Sequence, residues 1–197
     1  ATGTIEVTVK KLDVSKVEDI LELTPKTRSE KILVLVEGKV ISYQFQGYWV
    51  ADETGAILVY TGKTEKDSPY PALGSMVSVK GGLTTYGEAN SFTAQISPTE
   101  VTELTDATEP TIIAPVTKTF EELLALGVTS YDKAREVGMD YYGKFITITG
   151  KVRNDGNQKY WWIIGDEANE VFRLNNLYSN TGTFGGVFVD ETAIVKK

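Results

Sequence analysis

Neither cysteine nor histidine occurs among the 197 residues of the chain. Without cysteine, disulfides, thiolate metal sites and thiol nucleophiles are excluded. Without histidine, the chain lacks the commonest general base and metal ligand, so Ser-His-Asp hydrolysis and His-ligated zinc chemistry cannot operate within it. Because only carboxylates, hydroxyls and lysines remain, we expect a protein that is not an enzyme and that holds no metal or cofactor.

Long hydrophobic runs are also absent. The longest aliphatic run, Ile32–Val36, is far shorter than the roughly 20 apolar residues that cross a bilayer. The chain begins Ala1-Thr2-Gly3 without a methionine, and no signal-like apolar segment opens it. From this beginning we expect an extracellular or cell-envelope-attached protein whose signal or lipid anchor has been removed.

The chain has no surplus of basic residues in either half. Its formal net charge is −7, with 10 Lys+Arg against 14 Asp+Glu in residues 1–104 and 10 against 13 in residues 105–197. Duplex-binding proteins usually neutralise phosphates with a clear basic surplus. This balance disfavours tight binding of double-stranded nucleic acid and leaves room only for a local basic groove.

Two copies of one motif are present in the chain. They share a Gly-Lys-Val triplet followed, after a strand-like run, by an Asp-Glu pair, at residues 38–40 with 52–53 and at residues 150–152 with 166–167. The two spacings differ by two residues, which a surface loop tolerates. A capping-box pattern precedes each copy, at residues 15–18 and 119–122, and predicts short helices near residues 16–21 and 120–126.

Alternation of apolar and polar residues predicts five strands in the first half, at residues 32–40, 47–51, 56–60, 76–84 and 91–96. Five such strands are typical of a small closed barrel. Between the halves, residues 105–115 contain Pro110 and Pro115 and lack an amphipathic period, which indicates a connector. We therefore expect a first module at residues 1–104, a linker at 105–116 and a second module at 117–197.

The second module is shorter than the first. From Asp52 to the ending at Val101 there are 49 positions, but from Asp166 to the similar ending at Ile194 there are only 28. The difference has the size of the hairpin formed by the fourth and fifth strands, and residues 179–186 are too few and too glycine-rich to form it. Either the second barrel is open or a segment is missing, and we expect a break in the chain close to Phe184-Gly185.

The segments at residues 38–40, 47–50, 52–60 and 73–81 read GKV, GYWV, DETGAILVY and LGSMVSVKG. In this order they resemble OB-fold modules found beside secreted bacterial sugar-nonspecific nucleases and in surface lipoproteins. The resemblance covers residues 31–104, with a weaker echo over 142–197. It implies a mainly β protein with two tandem OB-type five-stranded barrels, each preceded by a short helix and the second incomplete. It also implies an accessory module that binds nucleic acid, without the nuclease centre itself.

Candidate contact residues follow from the faces of the second and third predicted strands. Alternation places one apolar set inside, namely Tyr48, Val50, Ile57 and Val59. The opposite face, with the loop before it, supplies the candidate ligand-binding set: Tyr43, Phe45, Trp49, Leu58 and Tyr60. The matching set in the second module interleaves aromatic and basic residues: Arg153, Lys159, Trp161, Phe172 and Arg173. OB folds bind ligands across this face with aromatic platforms; the alternative is that these aromatics pack under a helix, the linker or the other module.

The acidic pairs at residues 52–53 and 166–167 are interpreted as β-turns, since adjacent strand residues point to opposite faces and do not form a catalytic dyad. The sequence therefore favours a non-catalytic exported binding module that holds single-stranded nucleic acid or an oligosaccharide. The alternative is a structural or protein-interaction domain of a cell-envelope lipoprotein, with a protein partner at the envelope.

Overall fold

The computed structural model describes residues 12–23, 32–44, 46–85, 94–112, 114–125, 143–154, 161–168, 171–174 and 194–196. Two helices lie in these ranges, α1 at Val17–Glu22 and α2 at Phe120–Ala125, close to their predicted positions. Neither of them is long and apolar enough to cross a membrane. The strands are β1 (Ile32–Gln44), β2 (Gly47–Ala51), β3 (Ala56–Tyr60), β4 (Met76–Thr85), β5 (Ala94–Glu103), β6 (Val116–Thr117), β7 (Ile146–Thr147), β8 (Lys151–Asn154), β9 (Trp161–Ile164), β10 (Val171–Leu174) and β11 (Ile194–Lys196).

The first five strands form a closed barrel with the order β1-β2-β3-β5-β4. Strands β3 and β5 are parallel, and the other neighbours are antiparallel. Strand β1 closes the barrel because its first half pairs with β4 and its second half with β2, with Lys39 in register with both. The closed five-stranded barrel predicted for the first module is confirmed.

Two strands extend beyond their predicted ends. Strand β1 continues to Gln44 and β5 continues to Glu103. Each carries a β-bulge, at Ile41 in β1 and at Thr99 in β5, where the pairing register shifts. Pro98 lies beside the second bulge, where a residue without an N–H group is tolerated. The bulges interrupt the two-residue period, and for that reason the sequence pattern ended these strands early.

The barrel interior is a single aliphatic core that also buries one side of α1. Its members are Val17, Ile20, Leu21, Val34, Val36, Val40, Tyr48, Val50, Ile57, Val59, Val77, Val79, Leu83, Ala94 and Ile96. A helix of six residues is too short to be stable by itself in water. Val17 and Ile20 are fully buried, and burial of a Val or Ile side chain contributes about 1.5–3 kcal/mol. Tertiary packing therefore holds α1 in place.

Asp52 joins α1 to the turn between β2 and β3. Its Oδ2 accepts a hydrogen bond from the Val17 N–H (2.8 Å). Its Oδ1 accepts bonds from the N–H (2.7 Å) and hydroxyl (2.6 Å) of Thr54 and from the Gly55 N–H (3.1 Å). The Asp52 N–H in turn donates to the Gly55 carbonyl, which closes the predicted β-turn. One buried carboxylate thus satisfies the helix N-terminus and the turn together.

Of the two predicted capping boxes, the structure contains the one at α2 and lacks the one at α1. Helix α1 begins after Lys16, which makes no side-chain cap, and the Glu18 N–H donates to the Thr54 hydroxyl instead of to a local serine (3.1 Å). In α2 the box is present, because the Glu122 N–H donates to Thr119 Oγ1 (3.1 Å) and Glu122 Oε2 accepts from the Thr119 N–H (2.8 Å). The Thr119 N–H and the neighbouring Lys118 hold the pKa of Glu122 below its usual value.

The second half contains a four-stranded sheet with the order β10-β9-β8-β11 and a two-stranded sheet of β6 and β7. Strand β11 is parallel to β8, whereas β4 is antiparallel to β1. The strands described in this half form an open sheet, so a second five-stranded barrel is not seen in them. The predicted break near Phe184-Gly185 lies outside the described residues.

The repeat is visible in the contact between each helix and its strand. Ser15, two residues before α1, donates its N–H to the Leu35 carbonyl (2.8 Å). Lys118, two residues before α2, donates its N–H to the Thr147 carbonyl (2.9 Å). Leu35 and Thr147 each lie three residues before the glycine of the repeated triplet. The two halves therefore place helix and strand in the same relation.

The glycines of the two triplets occupy the same tight position. A Cβ on Gly38 would lie 2.5 Å from the Ala51 carbonyl oxygen, and a Cβ on Gly150 would lie 2.7 Å from the Ile164 carbonyl oxygen. Any side chain there would displace the neighbouring strand. The match also shows that Ile164 is the counterpart of Ala51. The sequence analysis matched the two Asp-Glu pairs, which places Gly165 opposite Ala51, so its alignment of these strands was displaced by one residue.

A turn of the second half contacts the β2–β3 end of the barrel. The Gly143 carbonyl accepts a hydrogen bond from the Ala56 N–H (2.8 Å), and the Lys144 ammonium donates to the Thr54 carbonyl (2.9 Å). Gly143 has φ of +73°, and a Cβ on it would lie 2.7 Å from the Ala56 oxygen. Both the conformation and the close approach require glycine. The two halves are therefore joined by a specific contact in addition to the connector.

Replacement of Asp52 by alanine should lower the free energy of unfolding by about 2–4 kcal/mol, because several buried donors lose their acceptor. Asp166, the equivalent acid in the second motif, has a side chain that is 94% exposed, and Asp166→Ala is the matched control. We expect no measurable loss in the control, since exposed ion pairs contribute little. Urea unfolding followed by circular dichroism measures both variants, and equal losses would contradict the role assigned to Asp52.

The Tyr48 hydroxyl is buried without a hydrogen-bond partner in the described part of the chain, and burial, with a smaller contribution from Tyr70, raises its pKa to about 12. Tyr48→Phe should therefore leave stability at pH 7 unchanged or raise it by up to about 1 kcal/mol. A raised pKa means that the neutral phenol favours the folded state, so this stability is present below about pH 10 and is lost as the pH rises towards 12. Urea unfolding at pH 7 and pH 11 should show a smaller alkaline loss in the phenylalanine variant than in the parent. A clear loss of stability at pH 7 would contradict the prediction.

Candidate ligand-binding face

The inner and outer faces of β2 and β3 separate as the alternation predicted. Tyr48, Val50, Ile57 and Val59 are between 0% and 1% exposed and form part of the core. The outer face therefore carries the remaining positions of these strands. Among them are two aromatic residues, Trp49 and Tyr60, and both are half-buried.

One row of residues crosses the outside of the barrel in register: Ser42, Trp49, Leu58, Gln95 and Thr84. Leu58 is only 3% exposed, although it lies on the outer face. Leu58 is therefore not an accessible contact residue in this structure. Ser42 is also buried, at 3%, and its hydroxyl has no partner in the described residues. Gln95 and Thr84 are buried as well, at 7% and 5%, so Trp49 is the one member of this row that is partly exposed.

Two glutamines fix the polar edges of these rings. The Trp49 indole N–H donates to Gln44 Oε1 (3.0 Å), and the Tyr60 hydroxyl donates to Gln46 Oε1 (2.8 Å). Gln44 is the last residue of β1, and Gln46 lies in the turn between β1 and β2. The sequence analysis missed them, although two glutamines beside a turn that precedes an aromatic strand were a readable signal. We name the set Gln44, Gln46, Trp49 and Tyr60 the anchored platform.

Gln46 has an unusual backbone conformation, with φ of +61°, in the left-handed region that favours glycine. Its carbonyl accepts bonds from the N–H (2.9 Å) and hydroxyl (3.2 Å) of Thr61, and its Nε2 donates to the Gly62 carbonyl (3.0 Å). Non-glycine residues in this region are strained and are enriched at functional sites. The contacts with Thr61 and Gly62 stabilise the turn that holds Tyr60.

Tyr43 does not belong to the platform, contrary to the prediction. It lies in β1, in register with Tyr48, and packs against the core. Its hydroxyl donates to the Pro71 carbonyl (2.8 Å), and its ring contacts Tyr70 edge to face with centroids 5.5 Å apart. The bulge at Ile41 shifts the register and carries Tyr43 to the inner face. Phe45 and Lys159, two further predicted contacts, lie outside the described residues.

The predicted set in the second module divides between two rows. Ile163 is in register with Val152 and Phe172, and Ile163 and Val152 are 7% and 4% exposed. Phe172 therefore belongs to the row that faces the interior, and so does Trp161, which is two residues from Ile163. These two positions correspond to Ile57 and Tyr48 in the first barrel. The sequence analysis had assigned these two positions to the ligand face because its alignment of the two halves was displaced by one residue.

Trp162 is the structural counterpart of Trp49. It lies in register with Arg153 of β8 and Arg173 of β10, so that two arginine positions flank one tryptophan position in a row across three strands. Arg153 and Arg173 were predicted, and Trp162 was not. A correct register between β8 and β9 is needed to find it.

Comparison with known proteins adds little. No protein-family model and no curated protein matches the chain. Among solved structures, the hypothetical protein ygiW from E. coli is similar at 15% identity with a TM-score of 0.36, over 52% of this chain and 100% of that protein. A similarity at this level does not assign a fold or a function.

Gln46→Gly and Gln46→Ala separate the backbone and side-chain roles of this residue. Both remove the amide that holds Tyr60, but only alanine keeps a Cβ in the left-handed conformation. We expect the alanine variant to be less stable than the glycine variant by about 1 kcal/mol. Urea unfolding measures the difference, and equal stability would show that φ at residue 46 is not strained in solution.

Proposed function

We propose that the chain is a non-catalytic binding module, built on an OB-type barrel, that holds single-stranded nucleic acid or an oligosaccharide on the outer face of β2 and β3. The strand order β1-β2-β3-β5-β4, with β3 parallel to β5, supports the OB-type assignment, since a five-stranded Greek-key barrel with this ligand face is typical of that fold. Export, and attachment to the cell envelope, belong to the same proposal and rest on the resemblance of the sequence.

The observation that carries the proposal is the anchored platform. Trp49 and Tyr60 are half-buried, and each has its polar edge hydrogen-bonded to a glutamine. Rings held in this way lose little conformational freedom when a ligand stacks on them. Aromatic rings stack on bases without regard to base identity. The platform therefore suits a ligand with flat rings and a repeating structure.

A second candidate is a structural or protein-interaction domain of a cell-envelope lipoprotein. Burial of Leu58 and Ser42 on the outer face favours it, because only part of the face is open to a ligand. The contact of Gly143 and Lys144 with the β2–β3 end also favours it, since it uses the barrel as a docking surface. In the first candidate function Trp49 and Tyr60 stack on a ligand, whereas in the second they do not.

The double variant Trp49→Ala, Tyr60→Ala should weaken binding of a fluorescein-labelled oligo(dT) or of a labelled oligosaccharide by about tenfold or more, because stacking on the platform is lost. Fluorescence anisotropy measures both ligands at several salt concentrations. Leu33→Ala, Leu73→Ala is the matched control, since these side chains are 53% and 44% exposed and lie outside the platform.

Circular dichroism of all variants distinguishes lost contacts from lost folding. Binding that is unchanged in the platform variant, or absent from the parent for both ligands, would favour the structural candidate. A steep salt dependence would identify phosphate contacts, because counterions are released when phosphates are neutralised.

A further inference from the structure

The second half concentrates positive charge on one side of its sheet. Arg153, Trp162 and Arg173 lie in one row across β8, β9 and β10. Neighbouring strand positions are about 5 Å apart, so the two arginine positions are roughly 10 Å apart with the tryptophan position between them. The row lies on the opposite side of the sheet from Val152 and Ile163, which are buried.

A third cation belongs to the same side. Lys151 is two residues before Arg153, and residues two apart in a strand share a face. Its side chain is 63% exposed, and its ammonium forms an exposed ion pair with Asp166 at 3.6 Å. The chain as a whole carries a net charge of −7. A face with three cations around a tryptophan position is therefore unusual for this protein.

The equivalent row of the first barrel has different chemistry. There Trp49 is flanked by Ser42 and Leu58, which are neutral and buried. The two halves thus share the position of the tryptophan but not its neighbours. Of the two rows, the one in the second half carries the basic residues that can contact phosphate.

We propose that the face of β8–β10 binds single-stranded nucleic acid, with Trp162 as the stacking residue and Arg153 and Arg173 as phosphate contacts. The proposal rests on the proposed function and names its ligand class. Guanidinium groups match phosphate oxygens in two-point hydrogen bonds, and tryptophan stacks on any base. A neutral oligosaccharide would gain nothing from the charges.

The test is binding of fluorescein-labelled oligo(dT) to the whole chain, measured by anisotropy over a range of salt concentrations. We expect Arg153→Ala, Arg173→Ala to weaken binding about tenfold or more, and to reduce the slope of log affinity against log salt by about 1.4, the value for two phosphate contacts on a single strand. Trp162→Ala should weaken binding about tenfold or more, with the salt slope unchanged.

Two further variants control for charge and for folding. Lys63→Ala, Lys66→Ala removes the same charge from an exposed loop of the first barrel and should leave affinity and salt slope unchanged. Arg153→Lys, Arg173→Lys keeps the charge and should retain the salt slope, while its affinity falls about two- to tenfold because two-point contacts are lost. Circular dichroism verifies that each variant is folded.

Three results would overturn the inference. If the arginine variant binds like the parent while the platform variant of Trp49 and Tyr60 does not, the site of nucleic-acid binding is the first barrel and the proposed function stands. If the parent binds a labelled oligosaccharide but no oligo(dT), the ligand class is wrong and the proposed function again stands. If the parent binds neither, both proposals fail together.

Discussion

Closure of the first barrel depends on β5, which pairs with β3 on one side and with β4 on the other. This double pairing removes both sheet edges and gives the barrel a sealed interior. The interior in turn decides which side of β2 and β3 is buried, and so it places Trp49 and Tyr60 outside. Strand β1 completes the ring because its bulge lets it follow β4 and then β2. The anchored platform exists only because these pairings hold its strands in one register.

The Asp52 carboxylate organises the end of the barrel where α1 meets the β2–β3 turn. It satisfies donors in α1 and in the β2–β3 turn, and the turn then offers the Thr54 carbonyl and the Ala56 N–H to the second half. Asp166 occupies the matching place in sequence, but its side chain is 94% exposed, and it forms an ion pair with Lys151 (3.6 Å). One additional residue, Gly165, lies between β9 and this acid. The aspartate of the repeated pair is therefore buried in the first half and exposed in the second.

The two halves keep the same backbone contacts at two points of the repeat, although one half forms a closed barrel and the described strands of the other form an open sheet. The helix-to-strand hydrogen bond and the tight glycine are the same in both, because each is imposed by backbone contacts that tolerate few substitutions. The outer rows are free of that constraint. Trp49 is anchored by a neighbouring glutamine, whereas Trp162 lies between two arginine positions. This difference is the basis of the separate roles that we propose for the two outer rows.

The sequence by itself determined the number of strands in the first barrel and the positions of β2, β3 and β4. It also determined both short helices, the inner face of β2 and β3, and the existence of the repeat. These features depend on local periodicity and turn chemistry. It placed Tyr43 in the loop beside the ligand face instead of in β1 against the core, and its alignment placed Gly165 opposite Ala51, since bulges and one-residue insertions leave no mark on a local pattern. It missed the glutamine anchors and the cap that Asp52 provides for α1. Only the tertiary structure decided these features, because each joins residues on different elements. The distance between two elements is set by strand register and barrel closure, and a local window of sequence contains neither.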